Sequence, residues 1–155
     1  MKLTKILGGK KAQARGNEFE SLVRMRCRSL GIKFTHHPTG CKAFGKKRFH
    51  TIKTGYDFSL FWDKKVCLID SKSFDSDRIV KSQATPHQVD ALYDLEQSGF
   101  MAGYLIYFRP LKSVYFVKSS ALYFLKDRGS ISHQDMLSLG EITTFDLKKL
   151  FEGTV

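Results

Sequence analysis

Acidic residues are scarce in the first third of this chain. Residues 1–53 hold 14 Lys or Arg and two acids, Glu18 and Glu20, whereas residues 54–155 hold 12 Lys or Arg and 13 acids. The whole net charge of +11 therefore lies in the N-terminal third. A soluble surface does not need such segregation; a nucleic acid or an anionic surface as partner would explain it. Cysteine is also scarce. Cys27, Cys41 and Cys67 are an odd number at wide spacing with no CxxC, which argues against a disulfide framework and fits a reducing compartment. His36, His37, Cys41 and His50 lack the paired-ligand spacing of a zinc site. No apolar run approaches the length that spans a bilayer. The opening MKLTKILGGKKAQARG lacks the apolar centre and small-residue cleavage site of a signal peptide. The expectation is a cytoplasmic protein with no membrane partner. What the chain does have is 155 residues, 42% of them hydrophobic and 13% aromatic, enough for a single folded domain with a real core.

Residues 1–15 read as a flexible basic arm carrying Lys10, Lys11 and Arg15, ahead of a domain over 16–155. A helix is expected from Asn17 to Leu30, capped by Asn17 and ended by Gly31, with Phe19, Leu22, Val23, Cys27 and Leu30 as its apolar stripe. Arg26 projects near that stripe without a reason in the pattern. IKFTHH suggests a short strand. Residues 38–53 show no clear period and read as a basic loop or projecting stalk, with Lys42, Lys46, Lys47, Arg48 and Lys53 interleaved with Phe44 and Phe49 as nucleic-acid contacts. Strands are expected at Tyr56–Trp62 and Lys65–Ser73, then a polar loop, a helix from Pro86 to Ser98, strands in MAGYLIYFR and SVYFVKS, and helical pieces near Ala121–Lys126, His133–Leu139 and Phe145–Phe151. The order describes a mixed α/β domain.

The stretch TGYDFSLFWDKKVCLIDSKSF, Thr54 to Phe74, is the unusual one. Asp57, Asp70 and Lys72 stand inside apolar strands, where an unpaired charge is expensive. A hairpin centred on Asp63-Lys64 sets Asp57 opposite Asp70, and strand alternation then brings Asp57, Asp70 and Lys72 to one face. The turn has no Gly or Asn, so a longer even loop with the same centre is equally open. Two facing carboxylates repel unless a cation lies between them, and Mg²⁺ favours a couple of carboxylates plus waters. Lys72 could hold a water or a phosphate oxygen beside such an ion. Together these are the parts for hydrolysing a phosphodiester; an exposed Asp–Lys salt bridge is the plainer alternative. Glu20 flanks the helix stripe and could reach the sheet, or could pair with Arg24 at i,i+4; Glu18 is the other acid available. Thr85-Pro86-His87-Gln88 is a capping box, yet Gln88 also falls on the inward face with Ala91, Leu92 and Leu95, where it needs partners.

Glu20 in GNEFE, Asp57 in GYDF and Asp70-Ser71-Lys72 in CLIDSKS resemble the helix acid, strand acid and (D/E)-x-K of the PD-(D/E)xK nucleases. RGNEFESLV, HPTG and HQVDALYDLEQSG bring the resemblance closest to RecU-type Holliday junction resolvases, over about Gly16 to Phe108. The resemblance implies a restriction-endonuclease-like αβββαβ core with a mixed central sheet, a homodimer, Mg²⁺ or Mn²⁺, and cleavage of a four-way junction to 5′-phosphate and 3′-hydroxyl ends. It implies metal ligation by Asp57, Asp70, the Ser71 carbonyl and Glu20, water orientation by Lys72 and support from Gln88. It places the basic arm and the stalk on the junction. Tyr56 stands where the motif has Pro, and the basic insertion is short. A nuclease for duplexes, flaps or ends and a non-catalytic nucleic-acid-binding module are the alternatives.

Overall fold

In a computed structural model, residues 2–37, 40–44, 48–52, 55–80, 83–125, 129–137 and 145–152 are described. Lys46, Lys47 and Lys53 lie outside them. Helix α1 (Lys2–Leu30) is followed by β1 (Lys33–His36), a ribbon of β2 (Gly40–Phe44) and β3 (Arg48–Ile52), then β4 (Phe58–Trp62), β5 (Lys65–Phe74), β6 (Arg78–Val80), α2 (Pro86–Gln97), β7 (Met101–Phe108), β8 (Ser113–Lys118), α3 (Ser119–Leu125), β9 (Ser130–Ser132) and α4 (His133–Leu137). Five strands form one mixed sheet in the order β1-β4-β5-β7-β8; only the β5–β7 contact is parallel. The parallel pair requires a crossover, and α2 supplies it. The result is a small α/β domain with a five-stranded sheet flanked by helices.

Two cores lie on the two sides of the sheet. On one side Phe19, Val23 and Cys27 of α1 meet Phe58, Leu60, Cys67 and Ile69, with Leu147, Leu150 and Phe151 closing the layer. On the other, Val89 and Leu92 of α2 cover Leu68, Ala102, Tyr104 and Ile106. Burial in the first core raises the Cys27 thiol to about 12, so it packs as an apolar group. The α1 stripe holds at Phe19, Val23 and Cys27, while Leu22 is 41% exposed. Arg26, unexplained by the stripe, donates to the Phe145 carbonyl at 2.8 Å. Gly31, at φ +71°, ends the helix as expected. The helix start differs. Residues 2–15, expected as a flexible arm, continue α1, and Asn17 lies inside it as no cap. Lys, Leu, Ala, Gln and Arg are strong helix formers, and here they outweigh the Gly8-Gly9 pair, which disfavours helix by about 1 kcal/mol per residue.

The hairpin between β4 and β5 has the expected centre, with Trp62 paired to Lys65 and Phe58 to Ile69. Its loop is the two-residue form. Asp63 and Lys64 both take positive φ, +48° and +60°, the handedness that matches strand twist. Residues 38–53 contain a ribbon, β2 paired antiparallel to β3 with Lys42 opposite His50 and Phe44 opposite Arg48. The segment read as a polar loop holds β6, which pairs with β9; three-residue strands carry no period that a sequence can reveal. Among the described residues no helix is long and apolar enough to cross a membrane.

Candidate active site

Asp70 sits in the middle of β5, between β4 and β7, with 0% exposure. Its Oδ1 accepts a hydrogen bond from Gln88 Nε2 at 3.0 Å. Its Oδ2 has the Lys72 ammonium 2.8 Å away as an ion pair, but no hydrogen bond of good alignment. Lys72 in turn donates to Gln88 Oε1 at 3.1 Å. Carboxylate, ammonium and amide thus close a ring across β5 and α2. Strand alternation puts residues 70 and 72 on the α2 side, and the first turn of α2 lowers Gln88 onto them. The cap fixes that turn. Thr85 Oγ1 accepts from the Gln88 backbone N–H at 3.4 Å and donates to Gln88 Oε1 at 3.2 Å. Gln88 therefore has both roles its sequence context allowed.

Asp57 joins β5 from the neighbouring strand. Its amide donates to the Ile69 carbonyl at 2.9 Å, and its Oδ2 accepts from the Ser71 amide and hydroxyl, both at 2.8 Å. It therefore brackets Asp70 along the strand. Strict register, which the ladder keeps as far as Phe58, would have stood the Asp57 carboxylate beside that of Asp70. The ladder slips at Asp57, and the carboxylate reaches the Ser71 side instead. The Ser71 amide and hydroxyl were not anticipated; only its carbonyl was, through the resemblance. Glu20 does not pair with Arg24. Its Oε2 lies 2.8 Å from His36 Nε2, and Arg24 donates to Ser21 Oγ at 2.8 Å.

The charges of Asp57, Lys72 and, most weakly, Glu20 act on Asp70. Burial, above all, pushes the Asp70 carboxyl up to about 7; the Asp57 and Glu20 charges add to the rise and Lys72 opposes it. Tyr104, the cross-strand partner of Asp70, is also raised, by burial first and then by the Asp70 and Asp90 charges. Its hydroxyl is buried without a hydrogen-bond partner. A buried hydroxyl left without a partner is costly, and it belongs to the residue paired with Asp70 across the sheet.

The resemblance implies a divalent ion here. The donor chemistry fits one: hard carboxylate oxygens, a buried Oδ2 lacking an aligned hydrogen bond, and mutual repulsion that a cation would relieve. Among the described residues no three His, Cys, Asp or Glu side chains converge as a metal cluster. An ion here would thus draw on the Asp57 and Asp70 carboxylates, with backbone oxygen and water completing its shell, and Glu20 would act at longer range or through His36.

The basic residues divide. Lys10 and Lys11 are exposed on α1. Arg15 is occupied by Asp75, and Asp75 also meets Arg109 at 3.4 Å; Arg109 reaches Glu18 at 2.7 Å. That network pins α1 to the far ends of β5 and β7. Lys42 and Arg48 lie on the ribbon strands. Sequence reasoning missed Tyr104, the second role of Thr85 and the pairing of His36, weighed only as a zinc ligand, with Glu20. A cap motif flagged Thr85, but nothing in the pattern distinguishes His36 or Tyr104 from ordinary strand residues. Fold and site together define a small α/β domain with a buried Asp–Lys–Gln cluster at the centre of its sheet. The chain matches no family model and no curated protein.

Proposed function

We propose that this protein is a metal-dependent, structure-selective DNA endonuclease of the PD-(D/E)xK type, a Holliday junction resolvase acting as a homodimer. The observation that carries the reading is the buried Asp70 carboxylate held jointly by Lys72 and Gln88, with the Asp57 carboxylate fixed on the next residue, Ser71. A structural Asp–Lys pair at a buried strand centre would equally need the Gln88 amide to complete its hydrogen bonds; what favours a metal site is the second carboxylate, Asp57, held one residue along on Ser71. With the β2–β3 ribbon and β6 set aside as insertions, the remaining order α1-β1-β4-β5-α2-β7 is that of the αβββαβ core the resemblance implies, and the basic N-terminal third suits a polyanion.

A bound Mg²⁺ or Mn²⁺ supplies Lewis-acid polarisation of the scissile phosphate and lowers the pKa of a water. Asp57 and Asp70 would hold that ion. Lys72 presents its ammonium to the attacking water and to the charge that grows on the phosphate oxygens. Gln88 keeps Lys72 and Asp70 in register, its Oε1 and Nε2 each committed to one of them. Water attacks phosphorus, the bond to the 3′ oxygen breaks, and the ends are a 5′-phosphate and a 3′-hydroxyl. In a two-fold dimer the paired sites nick symmetry-related strands.

Nicking of a synthetic four-way junction, with and without Mg²⁺, against a linear duplex of the same sequence tests the reading. The expected result is metal-dependent paired nicks on the junction, abolished in Asp70→Asn while junction binding persists. Equal cutting of both substrates would make it a duplex or flap nuclease, an outcome favoured by the shortness of the ribbon, five residues per strand. Tight binding with no cutting of any DNA would leave a binding module.

A further inference from the structure

Among the described residues, the side of the sheet that carries Asp70 and Lys72 is only half covered. α2 packs on β5 and β7, while Lys33 and Thr35 of β1 and Phe61 of β4 are exposed on that same side. Lys33 and Phe61 are direct cross-strand partners, so the ammonium stem and the ring lie together on one face. Phe61 is 40% exposed in a position where the pleat offers a polar side chain every chance to serve. Around the hairpin tip runs a groove of about 410 Å³ lined by Lys33, Phe61, Lys64 and Val66, with Asp63 its one acid among the described residues; Lys65, also at its rim, gives its ammonium to the Phe151 carbonyl on the other side of the sheet. An open aromatic face edged by ammonium groups has the composition of a base-stacking platform with phosphate contacts. The net positive charge of the lining selects a polyanion over a second copy of this basic chain.

Position sharpens the ligand. Phe61 lies on β4 and Asp57 immediately precedes that strand, four residues away and so at most about 13 Å at roughly 3.3 Å per residue. That is roughly four steps of about 3.4 Å along a nucleic-acid strand. Bases inside a continuous duplex are already stacked and offer no face to a ring. An unpaired or opened base at a branch point does. We infer that the β1–β4 face binds the branch of a DNA junction, with Phe61 stacking on an unpaired base a few nucleotides from the cleaved phosphate and Lys33 and Lys64 holding the flanking phosphates. The inference rests on the nuclease reading for its substrate and adds the surface that distinguishes branched from linear DNA.

The test is binding without cleavage, in buffer free of divalent ions, to a four-way junction carrying 2-aminopurine at the branch and to a linear duplex of matching sequence. Wild type should quench the branch probe. Phe61→Ala should lose the quench and bind the junction at least about tenfold more weakly, with little change on the duplex; Phe61→Trp should restore both. Lys33→Glu should weaken both DNAs and lower the salt dependence. Phe61 is partly exposed, and circular dichroism of each variant reports its folding independently. If wild type binds and Phe61→Ala matches it on both DNAs, the assignment of this face falls while the nuclease reading stands. If wild type binds neither DNA, both fall. If Phe61→Ala instead dissociates a dimer in sedimentation, the face is a subunit interface and the inference is overturned.

Discussion

Gln88 and Lys72 meet through a single hydrogen bond of 3.1 Å, from the ammonium to the amide oxygen. That contact joins α2 to the charged centre of β5. It commits the amide orientation, because the other end of Gln88 must then donate to Asp70. Replacing Gln88 with Leu keeps the helix but leaves a buried carboxylate and a partly exposed ammonium each with one partner fewer. Cleavage should fall on the order of 10²-fold, read as kcat on a four-way junction, with junction affinity unchanged. Thr85→Ala should lose about 1 kcal/mol of stability as a missing cap and part of the activity, and Thr85→Ser should recover both.

Asp70 makes stability depend on pH. Its carboxyl is raised, chiefly by burial, to about 7 in the folded chain, against roughly 3.9 for a free Asp. Between about pH 4 and pH 7 the folded state keeps a proton that the unfolded state has released, so the folded state binds more protons and stability falls as pH rises through that window. Without divalent ions this contribution should amount to a few kcal/mol and level off above about pH 7. Asp70→Asn should lack it and be more stable than wild type at pH 8. Urea unfolding at pH 5 and pH 8 measures the difference, and parallel slopes in the two proteins would contradict the coupling.

Metal binding should show the complementary sign. A divalent ion requires Asp70 ionised, so affinity should grow as pH rises through about 7. Mg²⁺ or Mn²⁺ should raise the Tm of wild type more at pH 8 than at pH 6, EDTA should reverse the shift, and Asp70→Asn should show almost none.

The β4–β5 turn offers a stabilising change. Lys64 holds φ at +60°, a left-handed conformation costing an L-residue on the order of 1 kcal/mol. Lys64→Gly should raise stability by up to about 1 kcal/mol in chemical denaturation, and it should weaken binding of junction DNA if Lys64 contacts phosphate.

Gly55 sits where a side chain has no room. A Cβ there would lie 2.4 Å from the Cβ of Ala91 on α2. Gly55→Ala should push α2 away from the sheet and carry Gln88 off Asp70. The expected result is a loss of about 1–3 kcal/mol of stability with a larger proportional loss of cleavage. Gly55→Ala combined with Ala91→Gly should restore both.

Much of the site was legible from local pattern. The apolar strands around Asp57, Asp70 and Lys72 made their charges conspicuous, and the capping box located Gln88 at the start of its helix. The centre of the hairpin followed from the two strands having one even loop between them. Other features were not legible. Residues 2–15 are rich in helix formers, yet a Gly-Gly pair and a credible cap at Asn17 made the helix start ambiguous, because local preferences there differ by only about 1 kcal/mol. β6 and β9 are too short to show alternation.

By itself the sequence determined the segregation of charge, the α/β order, the strand register up to Phe58, and the Asp57, Asp70, Lys72 and Gln88 members of the site. Those properties depend on composition and on the two-residue and 3.6-residue periods, which are local. Only the tertiary structure decided that Asp57 turns to Ser71, that Glu20 answers to His36, that Arg26 serves Phe145, and that Asp70 is fully buried and raised. Each of these depends on how two distant segments approach in space, and desolvation and hydrogen-bond geometry are set by that approach, not by any spacing along the chain.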